Sequence, residues 1–294
     1  MVAMAEADSF SLTRWLVRRR LWVQAAFLLV WLDPFMLRMH NVCGPVFHCY
    51  SCPLASVACP IGVLANFTAL HLIPFMAIGI LVIVGAFAGT AVCGWACPFG
   101  LLQDLIGSIP APKFKLPARA GYLRYAVLVG LVLAIPYLYG QEHPLFFCRL
   151  CPAGAIEGAI PNTVRTAMAG GGIVLPGVAK VTILIVILVA MLFVLRPWCM
   201  LFCPLGAIFS LFNRASMLVL RFHGDQCDQC GACDKLCKYG VLPAVDVNNA
   251  DCVRCLECTR CKAISLGSVF ARRATAGSDP KGPGQARRPS ASAG

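Results

Sequence analysis

Four stretches of this chain are apolar with no polar period inside them. Leu21 to Leu37 follows Arg18, Arg19 and Arg20, and Leu72 to Val92 carries no charge at all. Tyr125 to Tyr139 follows a segment holding Lys113, Lys115, Arg119 and Arg124, and Val181 to Leu195 is preceded by Lys180 and closed by Arg196. About 20 apolar residues span the hydrocarbon of a bilayer, so the second run is the clearest span and the first is barely long enough. The pattern predicts four transmembrane helices. No small-residue cleavage site follows the first run, where Met36 and Arg38 stand, so it reads as a retained helix rather than a signal peptide.

Composition agrees with that pattern. The 294 residues are 59% hydrophobic and only 13% charged, with a mean hydropathy of +0.76, which is the balance of a membrane protein. The net charge of +12 would suit nucleic acid, but no nucleic-acid motif accompanies it. The basic leader and the Lys113, Lys115, Arg119 loop fall on the same side of a four-span arrangement, against Arg38, Arg149 and Arg165 on the other. The positive-inside rule makes the first side, with both termini, cytoplasmic. The expected organisation is a leader over 1–20, a membrane region over 21–213, a cysteine-rich domain over 214–268, and a disordered basic tail over 269–294 rich in Ser, Ala, Gly and Pro.

Eighteen cysteines change the picture further, because their spacings are those of metal ligands and not of a small disulfide scaffold. The domain over 214–268 holds Cys227, Cys230, Cys233 and Cys237, then Cys252, Cys255, Cys258 and Cys261. In C-x2-C-x2-C, three thiolates on a tight loop hold three irons of a cubane and a more distant cysteine holds the fourth. Two such runs point to two [4Fe-4S] clusters. Zinc would use two C-x2-C pairs, whereas each run here carries four cysteines. The stretch resembles a bacterial dicluster ferredoxin, of α+β fold. The resemblance implies crossed ligation, Cys261 completing the first set and Cys237 the second. Lys238 and Lys262 stand where that family usually has proline.

The other ten cysteines surround an internal repeat. Cys-Pro-x-Gly occurs at Cys59, Cys97, Cys151 and Cys203, and Cys93-x3-Cys97-Pro answers Cys199-x3-Cys203-Pro. Two like halves imply a pseudo-twofold axis along the membrane normal. On a helical turn, i and i+4 place both sulfurs on one face, and proline suits the first turn of the next helix. Brought together, Cys93, Cys97, Cys199 and Cys203 supply the ligands of a third [4Fe-4S] cluster. On the opposite side, Cys43, Cys49, Cys52, Cys59, Cys148 and Cys151 admit several arrangements. These are a symmetric site from the two C-x2-C-Pro pairs Cys49/Cys52 and Cys148/Cys151 with a Cys43–Cys59 disulfide, a cluster held by the first loop alone, or transient copper or zinc ligation.

Paired C-x3-C-Pro motifs ahead of a dicluster ferredoxin run make the chain similar to the NapH family and to the NosR and FixG (CcoG) proteins that share the pattern, over roughly residues 15–265. The fold implied is an all-α integral membrane body of four helices in two pseudo-symmetric halves, with the ferredoxin domain in the cytoplasm. The function implied is electron transfer between quinol or quinone and a membrane or periplasmic redox partner. The alternative the resemblance carries is a cluster-dependent copper reductase or a redox assembly or sensor protein. His40 and His48, beside the first-loop cysteines, belong to that alternative. No C-x-x-C-H occurs, so c-type haem is not expected, and His71 reads as interfacial. Asp33 and Asn66 read as interfacial polar groups or as quinone proton donors.

Overall fold

The computed structural model describes residues 13, 15–32, 43–49, 51–52, 55, 57–170, 176–228 and 230–268. Asp33, Arg38, His40, residues 1–12 of the leader and the 269–294 tail lie outside the described residues.

Helices form where the apolar runs stand, but they end early. Arg20–Trp31 has 12 residues, Phe75–Ala88 has 14 and Val178–Phe193 has 16. At 1.5 Å per residue these reach about 18, 21 and 24 Å, short of a hydrocarbon core of about 30 Å. Among the described residues one helix, Ala120–Tyr139, is long and apolar enough to cross a membrane. The expected all-α membrane body with four transmembrane helices is therefore not what the chain forms. The causes are local. Gly89, at φ +53, ends Phe75–Ala88, and a side chain there would collide with Arg254 and Asn213, each 2.9 Å from a built Cβ. Val194 leaves the helix for an isolated parallel bridge with Phe114, whose N–H donates to Phe193 O at 2.8 Å. The long helix itself loosens to π geometry over Leu128–Ala134.

Between these helices the chain breaks repeatedly into short ones: Pro60–Ala69, Ala91–Trp95, Pro98–Gly107, Pro197–Leu201 and Pro204–Leu211. Their cysteine-bearing ends turn inward, so the main core holds Cys59, Cys93, Cys97, Cys151 and Cys203 among Phe47, Phe99, Phe147, Trp198 and Phe209. The large apolar side chains left outside form much of the helices' outer faces, among them Phe75, Val82, Ile83, Phe87, Val186 and Val189.

A two-stranded antiparallel sheet closes the cysteine-rich segment. Strand β1, Leu218–Phe222, pairs with β2, Ile264–Ser268, with Leu220 opposite Leu266. Leu220 and Ile264 turn into a small second core with Cys233, Leu256 and Cys258. This α+β arrangement ties the two ends of the segment together, and its intervening cysteines are held on turns and on the short helices Ala232–Leu236 and Glu257–Arg260.

Candidate metal centres

The Cys-Pro-x-Gly repeat has one local meaning at all four places. The cysteine has extended backbone at the N-terminus of a helical segment, and proline follows where the missing N–H costs nothing. The glycine N–H then points back at the sulfur. Gly154 and Gly206 donate to Cys151 Sγ and Cys203 Sγ, each at 3.4 Å, and the N–H groups of Gly62 and Gly100 lie near enough to the thiols of Cys59 and Cys97 to favour their thiolates. Glycine is required in the two C-x3-C-Pro copies for a second reason. A Cβ on Gly100 would sit 2.8 Å from Cys93 O, and one on Gly206 would sit 3.0 Å from Cys199 O.

The two copies meet. Cys93, Cys97, Cys199 and Cys203 are all buried, and the thiols of Cys93, Cys97 and Cys203 each feel the charge of others in the set, Cys199 among them every time. Burial first, then neighbouring Cys199, pushes the Cys97 thiol up to about 12. The site thus holds neutral thiols until a metal replaces the protons. Two buried cations, Arg196 and Arg124, act on Cys93 and Cys199 in the opposite sense and favour the thiolates.

Sequence reading missed the polar shell that holds this site. Gln103, fully buried, donates from Nε2 to Cys199 Sγ at 2.9 Å while its Oε1 accepts from Trp198 N at 3.2 Å. Arg196, which the sequence offered only as the end of an apolar run, is fully buried with left-handed backbone at φ 52. It donates to Asp104 from Nε at 2.8 Å and from NH2 at 2.5 Å, and to Cys93 O at 2.8 Å. Arg20 also pairs with Asp104. Burial would raise the Asp104 carboxyl, but Arg196 and Arg20 outweigh it and hold it below its ordinary range. The available signal was the isolated charge in each half, Asp104 and Arg196, in otherwise apolar surroundings.

In the ferredoxin-like segment, Cys237, Cys252, Cys255 and Cys258 surround one pocket with Tyr239 and Leu256. The Cys258 thiol is raised by burial and then by Cys252, Cys255 and Cys237. Cys233 interacts with Cys261; Cys227 is half-buried and Cys230 exposed. The segment is pressed onto the helical body through its second cysteine run. Thr90 Oγ1 and Asn213 Nδ2 donate to Cys252 O at 2.7 and 2.9 Å, and Trp95 Nε1 to Arg254 O at 3.0 Å. Arg254, 2% exposed, reaches into the body to Ala88 O at 3.1 Å and Ser216 Oγ at 2.6 Å. Arg124 pairs with Asp251 at 2.9 Å. Cys237 and Cys255 consequently pack against the same core as Cys93, Cys97 and Cys203.

On the far side, Cys49, Cys59, Cys148 and Cys151 line a second pocket with Phe47 and Phe147. This departs from the symmetric arrangement of the two C-x2-C-Pro pairs, since Cys59 takes the place of Cys52. The reason is the missing glycine: Ala55 follows Cys52 where Gly62 follows Cys59. Cys52 instead lies beside the buried His48, whose Nδ1 is 3.0 Å from Glu157 Oε2. Cys43 packs with Ala58 and Ala77. All eighteen cysteines are free, so Cys43 and Cys59 form no disulfide. Asn66 bonds Gly62 O of its own helix at 2.7 Å, and His71 stacks edge-on with Tyr137.

Among the described residues, no three His, Cys, Asp or Glu side chains converge tightly enough to hold one metal ion. A cubane is larger than an ion and takes one thiolate at each of four irons, so sets of four buried thiols with capping N–H groups and nearby cations fit it. Such a cluster supplies reversible one-electron storage.

A family described as "4Fe-4S binding domain" matches residues 70–117 and 177–223, the two stretches that carry Cys93/Cys97 and Cys199/Cys203. Uncharacterized protein MJ0750 of Methanocaldococcus jannaschii is 30% identical over 207 residues, covering 66% of this chain and 79% of that protein. The putative electron transport protein YccM of Escherichia coli is 23% identical over 202 residues, 64% of this chain and 53% of its own length. Regulatory protein NosR of Pseudomonas aeruginosa is 25% identical over 177 residues, 56% of this chain and 22% of its length. No solved structure matches the chain. The chain belongs to the 4Fe-4S binding family of the NapH, NosR and FixG (CcoG) type. An iron–sulfur electron-transfer role fits these relatives.

Proposed function

We propose that this protein is a membrane-associated electron carrier. Electrons move singly between the ferredoxin-type cysteines over 227–261 and the buried set Cys93, Cys97, Cys199 and Cys203. Each transfer oxidises one site by one electron and reduces its neighbour by one, with no bond or proton changing at the cysteines. The observation that carries this reading is the contact just described, in which the Cys252 to Cys255 run rests on the Ala91–Trp95 helix that bears Cys93. A thiol set buried at a packed interface with a ferredoxin-like segment suits transfer between the two better than it suits exchange with solvent.

The exchange partners in this proposal are a quinone at the helical body and another redox protein. Quinol gives up two electrons and two protons on becoming quinone, and the chain takes the electrons one at a time. The apolar outer faces and the helix Ala120–Tyr139 support attachment to a membrane. Lys113 and Lys115, just ahead of that helix, and Arg124, near its start, favour a cytoplasmic position for the ferredoxin-type segment.

The test is iron analysis and quinone-linked reoxidation of the anaerobically purified protein. Replacing Cys97 or Cys203 by Ser should remove about four irons and stop a quinone analogue from reoxidising the dithionite-reduced ferredoxin-type sites. Unchanged iron and an unchanged rate in both variants would overturn the reading.

A further inference from the structure

The Cys-Pro-x-Gly repeat occurs four times, and the inner site accounts for only two. The other two, Cys59 and Cys151, share a pocket with Cys49 and Cys148 on the opposite side of an aromatic layer. We propose that Cys49, Cys59, Cys148 and Cys151 hold a further [4Fe-4S] cluster, while Cys43 and Cys52 take no part in it.

Several independent features meet here. Cys59 and Cys151 are buried; Cys151 accepts from the Gly154 N–H as Cys203 does from Gly206, and the Gly62 N–H faces the Cys59 thiol closely enough to favour its thiolate, as Gly100 does for Cys97. The two halves of the repeat contribute two thiols each, as at the inner site. Glycine again lines the space. A Cβ on Gly158 would sit 3.0 Å from Cys49 Sγ, and one on Gly154 would sit 3.6 Å from it. Two opposite charges stand beside the Cys49 end of the pocket: Glu157 Oε2 accepts from Cys49 N at 2.8 Å, and Lys180 Nζ, 3.7 Å from a Cβ built on Gly154, lies near enough to favour the thiolates of Cys49 and Cys148. The remaining wall is apolar at Phe47, Phe147 and Ala153, and the one further donor lining it, His48, has its Nδ1 3.0 Å from Glu157 Oε2. Copper or zinc exchange would call for an accessible site, and Cys59 and Cys151 have less than a tenth of their surface exposed.

The position of this pocket gives it a use. Phe47 lines it, and the same residue's N–H lies near enough to the Cys97 thiol of the inner set to favour its thiolate. Its ring also touches Phe99 and Trp198 at centroid distances of 6.0 and 6.1 Å. The loop bearing Cys49 has thus folded inward until one residue bridges the two sets. An opposed placement at the two ends of four long helices would have separated them by the thickness of a bilayer, about 30 Å. Cysteines that the sequence assigned to opposite faces are next-door neighbours, and the outer set extends the series of one-electron sites. Its use rests on the proposed electron carriage, but its occupation by iron does not.

Iron content and EPR of the anaerobic protein test the assignment by variant. The wild type should hold about sixteen irons. Cys59→Ser and Cys151→Ser should each lose about four of them together with one EPR component, while the signals of the remaining sites persist and show that the fold survives. Cys52→Ser and Cys43→Ser should lose none. If Cys59→Ser unfolds the chain, Cys49→Ser on the half-buried loop gives the same reading. Wild-type protein with about twelve irons, all of them retained in the Cys59, Cys151 and Cys49 variants, would overturn the proposal and leave the inner site standing. Loss in the Cys59 variant with none in Cys97→Ser would do the reverse, keeping the outer cluster and removing the proposed carrier path. A cluster lost from Cys52→Ser but kept in Cys59→Ser would also overturn the ligand assignment.

Discussion

The carbonyl oxygen of Val253 lies so close over Gly94 that a Cβ on the glycine would be 2.6 Å from it. Gly94 follows Cys93 and Val253 follows Cys252, so this single contact brings the backbone of one cysteine set against that of another. Neither atom is the end of a flexible side chain, and the approach cannot be relaxed without moving a whole segment.

Gly94→Ala should therefore lift the Cys252 to Cys255 run off the helical body. The expected cost is about 1–3 kcal/mol, as for other overpacked contacts. Iron content should stay near wild type, while limited proteolysis should cut between 214 and 250 sooner. An unaltered digestion pattern would show that the interface tolerates the added atom.

Gly100→Ala and Gly206→Ala should act on the inner site instead. Each added Cβ meets the carbonyl of the cysteine that must share the site, so iron analysis should show about four irons fewer. Gly79→Ala is the control, because nothing lies within 4 Å of its added Cβ; it should leave iron unchanged.

Gln103→Leu removes the donor to Cys199 Sγ and leaves Trp198 N without its acceptor. A hydrogen bond to a ligand sulfur favours the reduced, more negative state and raises the potential. A loss of ~1 kcal/mol in that preference corresponds to about 40 mV for one electron. Redox titration should place the midpoint of the inner site lower by about that amount, with the other sites unmoved.

Asp104→Asn leaves Arg196 buried without its counter-charge, and breaking a buried pair in this way costs about 3–5 kcal/mol. The double change Asp104→Leu with Arg196→Met should cost less than the single one. The pH dependence has a fixed sign. The Asp104 carboxyl is held below its ordinary value in the fold, so its contribution is present above the unfolded value of about 3.9 and is lost as pH falls through the folded value. Resistance of the wild type to denaturation should fall in acid, and the Asn variant should lack that part of the slope.

How far the sequence disclosed all this differs from place to place. The Cys-x2-Cys runs and the repeated Cys-Pro-x-Gly carry their chemistry in short spacing, and the repeat could be read for its helix starts. Helix length could not be read in the same way. An apolar run tells how far the chain avoids water, but Gly89 with positive φ and the bridge from Phe114 to Val194 end helices inside those runs. The outer pocket was obscured by the similarity of Cys49-Tyr-Ser-Cys52-Pro53 to Cys148-Arg-Leu-Cys151-Pro152. The glycine three residues on, present after Cys59 and absent after Cys52, was the discriminating letter. Gln103 and Asp104 could not be found from spacing, because their partners Cys199 and Arg196 lie more than ninety residues away.

Magnetic coupling tests the central claim most directly, since unpaired electrons on neighbouring clusters split or broaden one another's EPR lines only at short range. Fully reduced wild-type protein should give a broadened spectrum from interacting sites. Cys97→Ser should narrow the component assigned to Cys237, Cys252, Cys255 and Cys258 while leaving its intensity unchanged. A wild-type spectrum equal to the plain sum of isolated clusters, unaltered in shape by Cys97→Ser, would contradict the account.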